Sequence, residues 1–378
     1  MKSGAVATKS ISISQPFFAG NEKKYVNECM DTTWISSIGS FINRFEEEFG
    51  GYCGARYAVA CNNGTTALHL ALLAVGVEPG DEIIVPTLTY VAAANAIRYC
   101  GATPVLVDSD PATMNLDPAC IEKRITAKTK GIIAVHLYGH PADMEPICDI
   151  ARRNGLFVLE DAAEAHGAVY RGRIAGTLGD IATFSFFGNK IISTGEGGMV
   201  LTNDESLSAR LRLLKGQGMD PNRRYWFPMV GYNYRMTNIQ AAIGLAQVEQ
   251  IHTHLQKRRL VAEWYGKHLR RLEEWLILPT EMPWAKHAFW MYTIILKETV
   301  MTERDQVMSA LGEAGVETRP VFYPMHVMPV YREADGRYPV AEFLGARGLN
   351  LPTHGLLTED DVAYVAAKLE QVIQLRRP

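Results

Sequence analysis

The chain is expected to fold as an α/β protein with a mostly parallel sheet, followed by a smaller α+β region. Three observations predict this. Short apolar, β-branched runs alternate with amphipathic helical stretches over the first two-thirds. The alternation stops near Thr237, and a helix-rich stretch with one further apolar run follows. The 378 residues also exceed what one small core organises.

Taken in order, strands are expected at Tyr57–Cys61, Glu82–Val85, Pro104–Val107, Gly131–Val135 and Leu156–Glu160. Helical patterns lie between them at Thr66–Ala74, Val91–Tyr99 and Met144–Arg153, an order that gives parallel neighbours with helices on both faces. The runs Ile181–Phe186 and Gly198–Thr202 add strands. A long helical pattern then spans Ile239–Glu273, followed by the apolar run Phe289–Leu296, a helix near Arg304–Ala314 and a last helix around Asp360–Leu375. The division expected is a large domain over residues 1–238 and a smaller one over 239–378, joined by that long helix.

Composition narrows the function. Hydrophobic residues make up 47% and charged residues 21%, ordinary for a globular chain. A formal charge of −3 supplies no basic field for nucleic acid, so a phosphorylated ligand must be held by local groups. No apolar run approaches the ~20 residues that cross a bilayer. Met1–Ser14 carries Lys2 and Lys9 without the apolar stretch of a secretory signal. The cysteines (Cys29, Cys53, Cys61, Cys100, Cys120, Cys148) are scattered without metal-ligand spacing, which reads as reduced thiols in a cytoplasmic protein.

Four segments carry chemistry. In Ser185-Phe-Phe-Gly-Asn-Lys190, followed by Thr194-Gly-Glu-Gly-Gly198, a lysine sits between an apolar strand and a glycine-rich turn. A partly buried lysine loses its proton readily and can form a Schiff base with an aldehyde. Phe157-Val-Leu-Glu-Asp161 is a strand ending in two acids, where open parallel sheets collect ligands. Asp161 there either caps a helix or pairs with a protonated pyridine nitrogen; beside the lysine segment, the second reading is favoured. Asn62-Asn63-Gly64-Thr65-Thr66 opens a helix whose free N–H groups suit a phosphate, and Ser185 offers another hydroxyl. Tyr90, in Pro86-Thr-Leu-Thr-Tyr90, stands where a ring can stack on a flat cofactor. Pyridoxal 5'-phosphate uses each of these groups, and the joint match is far more specific than any one part.

With these motifs the chain resembles the DegT/DnrJ/EryC1/StrS family of sugar aminotransferases along nearly its whole length. The likeness includes Asn63-Gly-Thr-Thr66, Glu160-Asp-Ala-Ala-Glu-Ala165, Phe184-Ser-Phe-Phe-Gly-Asn-Lys190, Gly231-Tyr-Asn-Tyr-Arg-Met-Thr-Asn238, Phe289-Trp-Met-Tyr292 and Glu317-Thr-Arg-Pro-Val-Phe-Tyr-Pro324. The resemblance implies the aspartate-aminotransferase-like fold, a large domain with a sheet of the seven-stranded, mostly parallel type. It implies that Lys190 is the Schiff-base lysine and proton shuttle, and that Asp161 pairs with the pyridinium nitrogen. Gly64, Thr65 and Ser185 would hold the phosphate, and Tyr90 would stack on the ring. It also implies a homodimer with shared active sites, in which the segment with Asn233 and Arg235 reaches the partner's cofactor phosphate; which of the two does so stays open. Arg319 and His326 match the stretch lining the sugar-nucleotide site. Glu164 stands where many relatives carry Gln or His against the cofactor's ring oxygen, so its carboxyl must be protonated there or face elsewhere. The subgroup most similar in sequence takes its amino group from L-glutamate and places it at C4 of a GDP-linked 4-keto-6-deoxy sugar, in polysaccharide synthesis.

Competing readings are weaker. UDP- or dTDP-linked sugars are the alternative substrates. A sugar dehydratase of this family would carry histidine in place of Lys190. A cofactor-binding regulator would need a DNA-binding module, and no basic helix-turn-helix pattern precedes Gly20 or follows Leu375. No metal site is expected: His252 and His254 lie two apart on a helix and point to different faces. His69 and His268 read as packing or surface residues, and His136 and His166 are given no role. The run Lys257-Arg258-Arg259 reads as a solvated helix face.

Overall fold

The computed structural model describes residues 9–333 and 336–374. The reading of Met1–Ser14 therefore falls mostly outside the described residues, as does Leu375 at the end of the last expected helix.

Two helices precede the alternating region, α1 (Glu22–Thr32) and α2 (Ser40–Cys53). There follow β1 (Tyr57–Cys61), α3 (Gly64–Ala74), β2 (Glu82–Pro86), α4 (Ala92–Tyr99), β3 (Thr103–Val107), β4 (Thr129–Val135), α5 (Met144–Asn154) and β5 (Phe157–Asp161). A short ribbon, β6 (Val169–Tyr170) and β7 (Arg173–Ile174), leads to β8 (Ile181–Ser185), β9 (Gly198–Thr202) and α6 (Glu205–Lys215). The strands form one seven-stranded sheet in the order β1-β9-β8-β5-β4-β2-β3. Only β9 runs against its neighbours β1 and β8; the other pairings are parallel.

Strand alternation covers both faces of this sheet. Ile83, Val85, Ile133, Val135 and Leu159 point into the core that holds α3 and α4. Ile84, Ile132, Ala134 and Val158 point the other way, against Met144, Ile147 and Ile150 of α5.

The rest of the chain comprises α7 (Asn238–Glu249), α8 (Ile251–Leu269), β10 (Leu276–Ile277), β11 (Ala285–Lys286), β12 (Tyr292–Leu296), α9 (Arg304–Glu313), β13 (Arg319–Pro320), α10 (Pro339–Arg347), β14 (Gly348–Leu351) and α11 (Glu359–Gln374). β10, β12, β14 and β13 form a second, antiparallel sheet, while β11 joins the β6–β7 ribbon.

The long helix expected over Ile239–Glu273 is two helices. Gln250, with φ −111° and ψ 12°, interrupts it, and Arg270–Leu272 is a 3-10 turn. No proline or glycine marks the break, so the periodic pattern runs through it. The reason lies in packing. α7 buries Ala241, Ala242, Leu245 and Ala246 in the first core, whereas α8 buries Val261, Ala262, Tyr265 and Leu269 in the second.

The basic run on α8 is also not a solvated face. Arg258 is buried, its Nη1 donating to the carbonyls of Trp290 and Thr353 at 2.8 Å each. Arg259 pairs with Glu281 at 2.7 Å, and Lys257 Nζ lies over the Phe17 ring. His252 is exposed and His254 buried, so the two do point to different faces.

Candidate active site

The carboxyl ends of β4, β5 and β8 converge, and the chemistry-bearing side chains converge with them. Asp161 ends β5 and is buried; its Oδ1 accepts the Ala163 N–H at 3.1 Å. A turn rather than a helix follows, so Asp161 does not serve as a helix cap. Burial raises its pKa, opposed by the Ala163 amide and the charge of Lys190.

Lys190 follows β8 in the turn that returns the chain toward β9. Its Nζ lies 3.6 Å from Glu164 Oε1 and 3.8 Å above the centroid of the Trp290 indole. Burial pushes the ammonium's pKa down, against the pull of Glu164 and Asp161. Burial likewise raises the Glu164 carboxyl to about 7, with Lys190 opposing. Both shifts act in one direction and favour a neutral pair, which leaves an amine lone pair available for bonding.

Local geometry explains how Glu164 is held. Its Oε2 accepts the Tyr138 N–H at 2.8 Å. Tyr138 presents that amide from a left-handed backbone, φ 54°, rare for a side chain of its size. Its hydroxyl accepts the Phe322 N–H at 3.0 Å, and its ring stacks on Trp290 and Phe322. Tyr90 meets that ring series at Phe322, with ring centroids 5.7 Å apart, and keeps an exposed face. The Trp290 indole is fixed by its Nε1, which donates to the Asn189 carbonyl at 2.8 Å.

Behind Asp161 the neighbouring carboxylate has a different task. Glu160 Oε2 takes the His136 Nε2–H at 3.0 Å, while His136 Nδ1 accepts the Ala142 N–H, which sets the imidazole tautomer. Glu160 also accepts the amides of Gly176, Leu178 and Gly179. Burial works to raise the Glu160 pKa, but His136 and these amides outweigh it and hold the carboxylate below its usual range. The pair ties the ends of β4 and β5 to the loop before β8.

The first turn of α3 meets β8 at close quarters. A Cβ on Gly64 would stand 2.7 Å from Ser185 Cβ, so only glycine allows this approach. Asn63 caps the helix by accepting the Thr66 N–H at 2.9 Å, and Thr66 reciprocates. The Gly64 and Thr65 amides, in the first turn of α3, precede any intrahelical partner, and Ser185 lies against Gly64. An anionic group is suited to this place.

Amine chemistry of this kind, next to a helix end ready for phosphate, belongs to enzymes that use pyridoxal 5'-phosphate. The chain belongs to the DegT/DnrJ/EryC1/StrS aminotransferase family, which matches residues 18–370. It is accordingly a pyridoxal-phosphate-dependent sugar aminotransferase. It is 60% identical to the GDP-perosamine synthase of Caulobacter vibrioides, over 96% of this chain and 98% of that one. To the GDP-perosamine synthase of Escherichia coli O157:H7 it is 50% identical, with the same coverage. Among solved structures, the aminotransferase TlmJ from Streptoalloteichus hindustanus superposes with a TM-score of 0.91 at 30% identity, covering 97% of this chain and 99% of that one.

Other expected site residues sit further out. Asn233 is exposed in a bridge with Gly216, and the neighbouring Tyr234 carbonyl accepts the Asn62 N–H at 3.0 Å, beside the start of α3. Arg235 Nε is buried without a partner among the described residues. Arg319 is half-exposed, 3.7 Å from Glu317. His326 is buried with both nitrogens engaged, Nδ1 with Thr87 Oγ1 at 2.8 Å and Nε2 with Glu342 at 3.2 Å, so it braces the loop leading to Tyr90 rather than presenting a free nitrogen. Trp290 lies against Lys190, Tyr138 stacks on Trp290, and Arg258 lines the same cavity as Lys190; sequence reasoning gave none of the three a site role. The signals were that Trp290 falls in the Phe289–Tyr292 motif and Tyr138 in the family-like stretch Ala134-Val-His-Leu-Tyr-Gly139.

Proposed function

We propose that the enzyme transfers an amino group from L-glutamate to GDP-4-keto-6-deoxymannose, giving GDP-perosamine for O-antigen or related polysaccharide synthesis. The observation that carries this reading is full-length identity of 60% and 50% to two GDP-perosamine synthases. No helix among the described residues is long and apolar enough to cross a membrane, in keeping with catalysis on a water-soluble nucleotide sugar in the cytoplasm.

Bound in this site, pyridoxal phosphate supplies a carbonyl carbon for amines and a ring that takes up electrons from a breaking C–H bond. The chain's residues do the rest. Lys190, whose ammonium form burial disfavours, would be the covalent partner of the cofactor and afterwards move the proton of the reacting carbon. Glu164 faces Lys190, and burial raises its carboxyl to about 7, so its protonated form would offer the ring oxygen a donor where an ionised carboxylate would repel it. Asp161 pairs with the ring nitrogen. The Gly64 and Thr65 amides, with the Thr65 and Ser185 hydroxyls, bind the phosphate, and the exposed face of Tyr90 covers the ring.

The active site belongs to a homodimer in this proposal, with Asn233 or Arg235 completing the partner's phosphate site and Arg319 facing the nucleotide sugar. The division into two domains, residues 1–238 and 239–378, belongs to it too; the later residues Val261, Ala262, Tyr265 and Leu269 of α8 pack in a second core, which supports a separate C-terminal unit. The test is incubation of purified enzyme with glutamate and a panel of nucleotide keto-sugars. Product from the GDP-linked 4-keto-6-deoxy sugar is expected; turnover of only UDP- or dTDP-linked sugars would refute the substrate assignment.

A further inference from the structure

Behind Lys190, on the side of α7 and α8, lies a small cavity lined by Phe17, Lys190, Ser193, Gln247, His254 and Arg258. It is a narrow space of about 10 Å³, room for one small particle, with the exposed Gln15 and Pro16 at its rim. Besides Lys190 and the exposed Gln15 at its rim, its polar lining is buried and divides into two kinds. Ser193 and Gln247 are committed to the protein: Ser193 Oγ donates to the Phe186 carbonyl, and Gln247 donates to the Phe17 carbonyl and to Glu22. Arg258 and His254 are not. Arg258 is 4% exposed, and among the described residues only its Nη1 is bonded, to two carbonyls. No carboxylate pairs with it among the described residues, and burial is the sole influence on its pKa, lowered to about 10. His254, also 4% exposed, has a buried Nε2 without a partner among the described residues.

A guanidinium does not give up its proton in a protein, so the cavity holds a permanent positive charge with no neutralising group. Glu164, 3.6 Å from Lys190 Nζ, is engaged with Lys190, and no ion pair to Arg258 occurs among the described residues. Glu22, the acid whose charge acts on His254, is occupied by Gln247 and the Gly20 amide. A buried guanidinium without a carboxylate partner, facing one particle's worth of space, calls for an acceptor that carries charge. We propose that this cavity binds a single halide-sized monovalent anion, chloride in the cell, between the Arg258 guanidinium and His254 Nε2–H. The anion neutralises Arg258, which in turn clamps the backbone of Trp290 beneath Lys190.

The test uses the cofactor-loaded enzyme. Crystals grown in bromide should give an anomalous peak within hydrogen-bonding reach of Arg258 and His254, and saturating L-glutamate should leave it in place. In solution, exchanging gluconate for chloride at constant ionic strength should raise the unfolding midpoint saturably, by about 2 °C, and Arg258→Met should abolish that rise. Absence of a peak overturns the proposal. A peak without the chloride-dependent rise is an adventitious ion only and overturns it as well, as does a rise that survives in Arg258→Met. Displacement of bromide by glutamate would mark a carboxylate subsite and refute the halide assignment. Should Arg258→Met fail to fold, His254→Leu, which removes the second donor, is expected to weaken the chloride response at least 10-fold; an unchanged response overturns the proposal.

Discussion

Glu164 Oε1 stands 3.6 Å from Lys190 Nζ, with both side chains almost wholly withdrawn from water. At that distance in a buried site the two groups compete for protons that neither can share with solvent. The Tyr138 amide fixes the carboxyl on one side and the Trp290 ring supports the amine on the other. The pair is therefore positioned before any ligand arrives.

This pair makes stability depend on pH with a definite sign. In the folded chain the Glu164 carboxyl keeps its proton up to about pH 7, whereas its ordinary value is 4.5. Between those values the folded state binds more protons, so the contribution is complete below pH 4.5 and is lost as pH rises through 7. It amounts to ~3 kcal/mol at most. Glu164→Gln removes it, and denaturant melts of the cofactor-free variant should vary less between pH 4.5 and 7 than those of the wild type. Equal slopes would contradict the assignment.

At the phosphate cradle, Gly64→Ala drives a methyl group into Ser185. The expected result is a stability loss of about 1–3 kcal/mol and a cofactor affinity at least 10-fold weaker. Ser185→Ala, which removes one hydroxyl without crowding, should weaken cofactor binding by roughly 10-fold and leave the melt nearly unchanged. Spectroscopic titration with pyridoxal phosphate measures both.

Glu160 anchors structure while its neighbour Asp161 serves chemistry. Glu160→Ala strips acceptors from His136 and three loop amides and should cost about 3–5 kcal/mol of stability. Asp161→Asn, nearly isosteric, should preserve the melt and lower turnover between about 10²- and 10⁴-fold. Reversed outcomes would exchange the two roles.

Much of this arrangement was legible from residues alone. The seven strands of the main sheet are local apolar runs, and each appears within a residue or two of its expected place. Lys190, Asp161 and Gly64 announce themselves because they sit at strand ends or a helix start, where open sheets collect ligands. The break at Gln250 stayed hidden because it obeys no turn chemistry; it follows from two cores that need different helix faces. Arg258 was misjudged for a related reason. A basic triplet on a helix looks solvated, and only the tertiary packing of Trp290 and Thr353 against α8 shows that its middle residue is enclosed. Helices α1 and α2 went unplaced because the alternation that revealed the sheet begins only at Tyr57.

The central claim is that the amine at position 190 is the cofactor's covalent attachment point. Borohydride reduction of the cofactor-loaded enzyme, followed by proteolysis and mass spectrometry, tests it most directly. The account predicts a pyridoxyl-phosphate adduct on the peptide containing Lys190; an adduct on another lysine, or none at all, would contradict it.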